Sequence, residues 1–310
     1  MMYMFALSHQ LLLINMSLFS SLGAFELGFI YSLVALGVFI SFRILRFPDL
    51  TVDGTFASGG ATAALVISLG GDPFLATALA MLVCAFAGMI TGWLNVKLGI
   101  MDLLASILMM TALYSINLRI MNGPNIPLIT NDTVFSILQP AFMEDYVWRP
   151  VLLLLVVLIA KLVLDRYFAT QSGLAMRSTG SNLRMARAQG ISTDRMVMVG
   201  MAISNALVGL GGALFAQSQG GSDISMGIGT IVIGLAAVIV GQSIIPARRF
   251  VYLTLAVIIG AVLYRFFIAL ALNVDFIGLK AQDLNLVTAL LVTFALVLPK
   301  FNKMRKAKKG

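Results

Sequence analysis

The stretch Ser172-Gly-Leu-Ala-Met-Arg-Ser-Thr-Gly-Ser-Asn-Leu-Arg-Met-Ala-Arg-Ala-Gln-Gly-Ile-Ser192 separates two long apolar segments of the chain. It is polar and carries three arginines, whereas only 11% of the 310 residues are charged and 60% are hydrophobic. A soluble domain has about 25% charged residues. The composition therefore predicts a polytopic membrane protein, and the quoted stretch is predicted to be one of its loops.

Apolar segments long enough to cross a bilayer, roughly 20 residues each, recur along the sequence. Nine spans are predicted at residues 25–42, 54–69, 75–96, 103–121, 151–168, 197–217, 227–246, 251–272 and 284–299. The predicted fold class is an all-α polytopic bundle of about nine or ten transmembrane helices. Residues 1–310 are expected to form a single transmembrane domain.

The N-terminal segment, residues 1–22, allows three interpretations. It is apolar but is interrupted by polar residues, including His9 and Gln10. It could be a tenth span or a helix that lies in the membrane interface. Synthesis could also begin at Met16, which would make the preceding residues irrelevant.

Basic residues indicate the orientation of the chain, because Lys and Arg near the ends of spans remain on the cytoplasmic side. The tail at 300–310 is strongly basic and is predicted to be cytoplasmic. Counting the spans back from the tail places the other basic segments on the same side: Arg43 with Arg46, Lys97, the loop at 172–195, and Arg248 with Arg249. The opposite side receives residues 70–74, 122–150, 218–226 and 273–283. The net charge of +8 thus reflects membrane orientation, and no nucleic-acid partner is expected.

The sequence lacks the residues that most enzyme and cofactor sites require. One cysteine, Cys84, cannot form a disulfide framework within the chain, and the one histidine, His9, is far from the polar loops. No lysine is followed by Ser or Thr, so the chain has no P-loop. We therefore expect no catalytic residue, bound cofactor or metal in this chain, and an intramembrane enzyme is disfavoured.

The loop at 172–195 has the features of a docking element for a cytoplasmic partner. Ser181 is predicted to cap a short helix that runs through Gln189 and ends at Gly190. The arginines of this helix are three residues apart and share a face. The residues predicted to carry the docking are Arg177, Ser181, Arg184, Ala186, Arg187 and Gly190. A plain basic loop without a partner is the alternative.

The segment Phe47-Pro-Asp-Leu-Thr-Val-Asp-Gly54 lies between two apolar segments, and its proline prevents a continuous helix. Carboxylates beside a membrane are costly unless they face water, a cation or a helix N-terminus. Asp49 and Asp53, with Thr51 between them, are therefore candidates to line a pathway through the membrane. A structural role is equally open, in which Asp53 caps the helix that follows and Asp49 pairs with Arg46.

Polar and glycine residues also interrupt the apolar pattern at 217–230. They lie at the predicted outer end of a span, where a broken helix would expose backbone groups to a pathway. Gln217 and Gln219 are candidate pathway residues here, and Asn117 is a candidate in an earlier span. An ordinary external turn is the alternative.

Three motifs carry a resemblance to a known family: Pro48-Asp-Leu-Thr-Val-Asp-Gly54, Gly190-Ile191, and Gly227-Ile-Gly-Thr-Ile-Val-Ile-Gly234. Together they resemble bacterial ABC importer permeases of the branched-chain amino acid and ribose permease family. The chain is most similar to the subgroup of tryptophan/tyrosine-type and uncharacterised amino acid systems. The resemblance covers about residues 16–300.

The resemblance implies a vitamin B12 permease-like helical fold that works as a homodimer in the bacterial inner membrane. It implies two separate ATPase subunits, which bind ATP and Mg²⁺, and an extracytoplasmic binding protein that delivers the solute. The family's coupling loop corresponds to residues 173–191. Relatives often carry an acidic residue where this chain has Ser181, so an acid-mediated contact with the ATPase is not expected here.

The expected function is thus import of a small amino acid-like solute, with ATP hydrolysis in another subunit. A secondary transporter that needs no ATPase is the alternative. Such proteins usually hold ionisable residues deep within their spans. Most acidic residues of this chain lie near predicted helix ends instead, which favours the importer.

Overall fold

Helices make up nearly all of the secondary structure in the computed structural model, which describes residues 21–247, 249–273 and 293. The helices are α1 (Ser21–Leu45), α2 (Thr51–Ser68), α3 (Pro73–Leu98), α4 (Asp102–Met121), α5 (Val134–Ile137), α6 (Asp145–Ala169), α7 (Gln171–Ser181), α8 (Leu183–Ala188), α9 (Thr193–Gln219), α10 (Thr230–Ile244) and α11 (Phe250–Asn273). Two short strands, β1 (Asn125–Pro127) and β2 (Gly221–Asp223), form an antiparallel pair. The predicted all-α fold class is confirmed.

Six of the described helices are long and apolar enough to cross a membrane: α1, α3, α4, α6, α9 and α11. Each of them coincides with a predicted span. Helix α2 also occupies a predicted span, but it is shorter and contains many small and polar residues. The ninth predicted span at 284–299, apart from Thr293, and the basic tail at 300–310 lie outside the described residues. The alternatives for residues 1–20 lie outside them as well.

Small residues allow the helices around α9 to approach one another closely. Gly59 of α2 faces the backbone of Gly209 in α9, and Gly88 of α3 faces the carbonyl oxygen of Met201. Gly37 of α1 meets the backbone of Ser204 in the same way. Helices in a membrane associate largely through such close packing, because lipid supplies no hydrophobic driving force between them.

The loops predicted to share a side of the membrane come together in the structure. Strands β1 and β2 belong to the predicted external loops 122–150 and 218–226, and Asn125 pairs with Asp223. At the opposite end of the bundle, Lys97 lies 3.8 Å from Asp194, which is near the end of the basic loop at 172–195. Both contacts are consistent with the prediction that successive loops lie on alternate sides of the membrane. The assignment of one end to the cytoplasm stays a prediction.

The segment between α9 and α10 turns back into the bundle instead of starting a full span at residue 227. After β2 it runs along α2, because Gly60 faces Met226 and Gly227 faces the backbone of Asp53. Helix α10 has 15 residues, which gives a length of about 22 Å at 1.5 Å per residue, less than the ~30 Å hydrocarbon core. Helix α10 therefore lies within the predicted span at 227–246, but it begins three residues later, at Thr230, inside the bundle.

The contact between α2 and α9 leads to a testable prediction. A Cβ atom at Gly59 would collide with the backbone of Gly209, which cannot move aside like a flexible side chain. We expect Gly59→Ala to lower the free energy of unfolding by about 1–3 kcal/mol, measured by thermal unfolding in detergent. Gly23→Ala in α1 is the matched control, because no atom lies within 4 Å of its added Cβ. Equal stability of the two variants would contradict this packing.

Candidate functional site

The predicted docking loop folds as two consecutive helices, α7 and α8. Asn182 caps α8, because its side-chain oxygen accepts a hydrogen bond of 3.1 Å from the backbone N–H of Met185. The predicted cap, Ser181, is wrong: α7 extends through Ser181, whose hydroxyl donates to the carbonyl oxygen of Ser178. Gly190 follows the C-cap residue of α8, Gln189, and adopts φ of 79°, which is the conformation expected of a glycine that ends a helix.

Helix α7 is held firmly against the ends of the neighbouring spans. Its Gly180 faces the backbone of Ile44 at the end of α1, and its Met176 faces Gly200 near the start of α9. The guanidinium of Arg177 lies 5.6 Å from the ring centre of Phe250, the first residue of α11. Arg177 therefore connects the docking segment to α11. It belongs to α7, whereas Arg184 and Arg187 belong to α8.

The two arginines of α8 differ in their contacts. Arg187 donates to Thr193 at 2.8 Å and to Asp194 at 3.1 Å, which ties α8 to the start of α9. Ala186 is the buried residue of α8. Arg184 is exposed and takes part in no ion pair among the described residues. It lies between two exposed apolar side chains, Leu183 and Met185, which are 42% and 59% exposed.

Asp49 is fully buried and belongs to a hydrogen-bonded network between the α1–α2 link and α9. Its carboxylate accepts hydrogen bonds from the backbone N–H of Thr51 at 2.9 Å and from the side-chain amide of Asn205 at 2.8 Å. Asn205 also accepts from the hydroxyl of Thr55 at 2.8 Å. The predicted pairing with Arg46 is wrong, because Arg46 is exposed and Asp49 is directed to α9.

Thr51 is buried at the junction of three helices. Its hydroxyl lies 3.1 Å from the hydroxyl of Thr91 in α3 and 3.5 Å from the carbonyl oxygen of Ser106 in α4. These contacts tie the start of α2 to both neighbours. The side chains of Asp49 and Thr51 therefore lie at contacts between helices.

Asp53 caps a helix that begins 177 residues later in the sequence. Its carboxylate accepts hydrogen bonds from the backbone N–H of Gly229 at 3.0 Å, the hydroxyl of Thr230 at 2.9 Å and the backbone N–H of Ile231 at 2.8 Å. The prediction that Asp53 caps its own helix is wrong, because α2 already begins at Thr51. A carboxylate at the N-terminus of α10 is favoured, because it meets free N–H groups and the positive end of the helix dipole.

A pocket of about 300 Å³ opens beside Asp53, between α2, α4 and the segment that leads to α10. It is lined by Asp53, Gly54, Ala57, Met110, Thr111, Tyr114, Asn117, Ile224 and Ile228. Asn117 is buried at its edge, where it accepts a hydrogen bond from Ser58 and donates to the carbonyl oxygen of Gly54. Two of the predicted pathway residues, Asp53 and Asn117, therefore line one pocket.

The other four predicted pathway residues, Asp49, Thr51, Gln217 and Gln219, are not among the residues that line this pocket. Gln217 is buried near the end of α9, where it accepts from the backbone N–H of Val134 and donates to the hydroxyl of Thr77. It joins α9 to α5 and α3. Gln219 is exposed and donates to Ser218. Sequence reasoning missed Thr111 and Tyr114, whose only signal was the presence of hydroxyl groups within an apolar span.

Comparison with known proteins identifies the family of the chain. The model of a family described as "Branched-chain amino acid transport system / permease component" matches residues 21–298. The chain belongs to this family. It is thus a multi-pass membrane protein and the permease component of an ABC transporter of the amino acid type, and it is not itself a catalytic subunit.

Several individual proteins are similar to the chain. A tyrosine transport system permease protein of Clostridioides difficile is 38% identical over 263 residues, which cover 85% of each chain. A nucleoside ABC transporter permease of Lactococcus lactis is 33% identical over 119 residues, 38% of this chain and 36% of that protein. The solved structure of a metal-chelate type ABC transporter in an inward-facing conformation aligns with a TM-score of 0.48 and 15% identity. The alignment covers 92% of this chain and 85% of the transporter chain.

The buried network around Asp49 gives a second prediction. Asp49→Ala and Asn205→Ala each leave a buried polar partner unpaired, and each is expected to cost about 1–3 kcal/mol of unfolding free energy. The double variant should be less destabilised than the sum, with a coupling energy of about 0.5–3 kcal/mol. Chemical denaturation in detergent measures all three. Asn205→Ala combined with Thr254→Ala in α11 shares no hydrogen bond and should be additive; additivity of the first pair would contradict the network.

Proposed function

We propose that the protein is the permease subunit of an ATP-driven importer for tyrosine or a related amino acid. The observation that carries this proposal is the 38% identity, over 85% of both chains, with a tyrosine transport system permease. The match of the family model to nearly the whole described chain supports the same class of solute. A separate extracytoplasmic binding protein would deliver the solute and select it.

ATP hydrolysis is assigned to two partner ATPase subunits, which would hold ATP and Mg²⁺. The sequence itself has no P-loop. The proposed contact with each ATPase is the exposed surface of α8, where Arg184 lies between Leu183 and Met185. Such a surface suits insertion into a groove that has an apolar floor and an acidic rim, since it combines apolar area with a cation.

Two contacts would transmit movement of α8 and α7 to the spanning helices. Arg187 links α8 to the start of α9, and Gly180 of α7 packs against the end of α1. Movement of the two short helices would therefore change the inclination of α1 and α9 together. Import requires that the ATPases bind two conformations of the permease with different affinity, because only such a difference shifts the population.

The permease is proposed to act as a homodimer with the transport pathway between its two copies, in the bacterial inner membrane and with the C-terminus in the cytoplasm. Asp53 and Asn117 are retained as pathway residues because they line the pocket beside α4. Asp49, Thr51 and Gln217 are assigned to helix packing, since their side chains are buried in hydrogen bonds between elements. Gln219, at the exposed end of α9, is assigned to the outer mouth of the pathway.

The ATPase contact is tested by reversing its charge. Arg184→Glu and Met185→Glu should each reduce the amount of ATPase that copurifies with the permease by about tenfold, because a buried interfacial charge or contact typically contributes 1–3 kcal/mol or more. Arg119→Glu is the control, since Arg119 is exposed in the last turn of α4, beside the predicted external loop. Unchanged copurification of the α8 variants would exclude this surface as the docking site.

The transport function is tested in proteoliposomes that contain the permease, its ATPase and its binding protein. We expect uptake of radiolabelled tyrosine to require ATP, because the chain is not expected to couple transport to an ion gradient. A proton or sodium gradient without ATP should give no accumulation. Accumulation driven by the gradient alone would instead identify a secondary transporter, and absence of tyrosine uptake with every component present would exclude tyrosine as the solute.

A further inference from the structure

The outward faces of three spanning helices differ in polarity. Helix α3 exposes only apolar side chains from residue 74 to residue 93, among them Leu82 and Phe86. Helix α6 does the same from residue 151 to residue 163, with Leu155 prominent. These two faces suit contact with lipid. Helix α4, in contrast, exposes three hydroxyl side chains near its middle: Thr111, Tyr114 and Ser115.

The three hydroxyl residues form a continuous stripe, because positions three and four apart share a face of a helix. Thr111 and Tyr114 also line the pocket beside Asp53. Polar groups that face hydrocarbon without a hydrogen bond are costly, since lipid offers them none. The hydroxyl of Thr111 donates to the carbonyl oxygen of Leu108 at 2.9 Å, so this cost applies to Tyr114 and Ser115. This face of α4 is therefore suited to water, a solute or another protein surface, whereas the faces of α3 and α6 are suited to lipid.

The carboxylate of Asp53 retains capacity for a further hydrogen bond. Its Oδ1 atom accepts from Thr230 and Ile231, and its Oδ2 atom accepts only from Gly229 among the described residues. A carboxylate offers about four acceptor positions on its two oxygens. Asp53 is partly exposed and lines the pocket. Its Oδ2 atom can thus accept from an ammonium group that enters the pocket, without loss of the cap on α10.

The rest of the pocket is apolar and incomplete. Ala57, Met110 and Ile224 form its apolar wall, and its volume of about 300 Å³ is at the lower end of the ~300–1,000 Å³ typical of small-molecule sites. Its rim is open, because Tyr114 is 54% exposed and Ile228 is 69% exposed. A single chain therefore supplies one side of a site, and a second surface is needed to enclose a solute.

We propose that the pocket and the stripe Thr111–Tyr114–Ser115 form one half of a solute-contact site, which a second copy of the chain completes. Asp53 binds the ammonium group of an amino acid, while Tyr114 and Met110 contact a large apolar or aromatic side chain. This inference rests on the proposed function and extends it to the groups that contact the solute. It also explains why a carboxylate and three hydroxyls adjoin one another within the apolar spans.

Cysteine labelling tests whether the stripe faces water. Cys84 is fully buried, so the unmodified protein should remain unlabelled. Thr111→Cys and Ser115→Cys, in the complete transporter in proteoliposomes, should react with a charged, membrane-impermeant methanethiosulfonate about tenfold faster than Leu155→Cys on α6, because only a thiol in water ionises and reacts. Equal, slow labelling of all three cysteines would overturn the proposal whether or not tyrosine is the solute.

Uptake of radiolabelled tyrosine tests the role of Asp53. Asp53→Asn should reduce the rate of uptake about tenfold or more, because it removes a charge-assisted hydrogen bond to the ammonium group. Thr230→Val removes one hydrogen bond of the same cap but keeps the carboxylate, and it should change the rate less than about threefold. Equal losses in both variants would assign Asp53 to the cap alone and overturn the ammonium site. If the unmodified transporter takes up no tyrosine, the proposed function fails, and the labelling experiment still decides whether the stripe faces water.

Discussion

The first turn of α10 lies inside the bundle, and its backbone N–H groups need acceptors there. Within a membrane, irregular backbone is tolerated only where protein or water satisfies its polar groups. The carboxylate of Asp53 accepts from the N–H groups of Gly229 and Ile231 and from the hydroxyl of Thr230. This single side chain thereby permits the chain to turn back after β2 and to begin a short helix beside α2. The segment that precedes α10 contributes Ile224 and Ile228 to the lining of the pocket.

Helix α2 is consequently fixed on several sides. Its glycines allow close approach to α9, Asn117 of α4 donates to the carbonyl oxygen of Gly54, and Asp53 holds α10. A helix restrained in this way can transmit movement from one neighbour to another, since packed elements shift as units. Helix α9, which contacts α2 along its length, begins beside Arg187 of α8. The docking segment and the pocket are thus joined through α9 and α2 by direct contacts.

The long apolar runs were sufficient to predict the fold class and six spans, because hydrophobic length is a property of local sequence. Local signals also predicted a short helix that ends at Gly190 in the docking loop. They did not distinguish Ser181 from Asn182 as its cap, since both residue types cap helices well. The partner of Asp53 could not be predicted at all, because Gly229 is 176 residues away. The role of Tyr114 depended on which face of α4 remains exposed, and only the packing of α2 against α4 decides that.

Asp49 and Asp53 show how a break in the backbone separates two residues that look equivalent in the sequence. Four residues apart on a continuous helix, they would share a face. Helix α2 begins only at Thr51, however, so Asp49 belongs to the link before it and Asp53 to its first turn. Asp49 is directed to Asn205 and is fully buried, whereas Asp53 reaches α10 and the pocket. The position of the helix start, which follows the proline of this segment, therefore assigns one carboxylate to packing and leaves the other beside the proposed pathway.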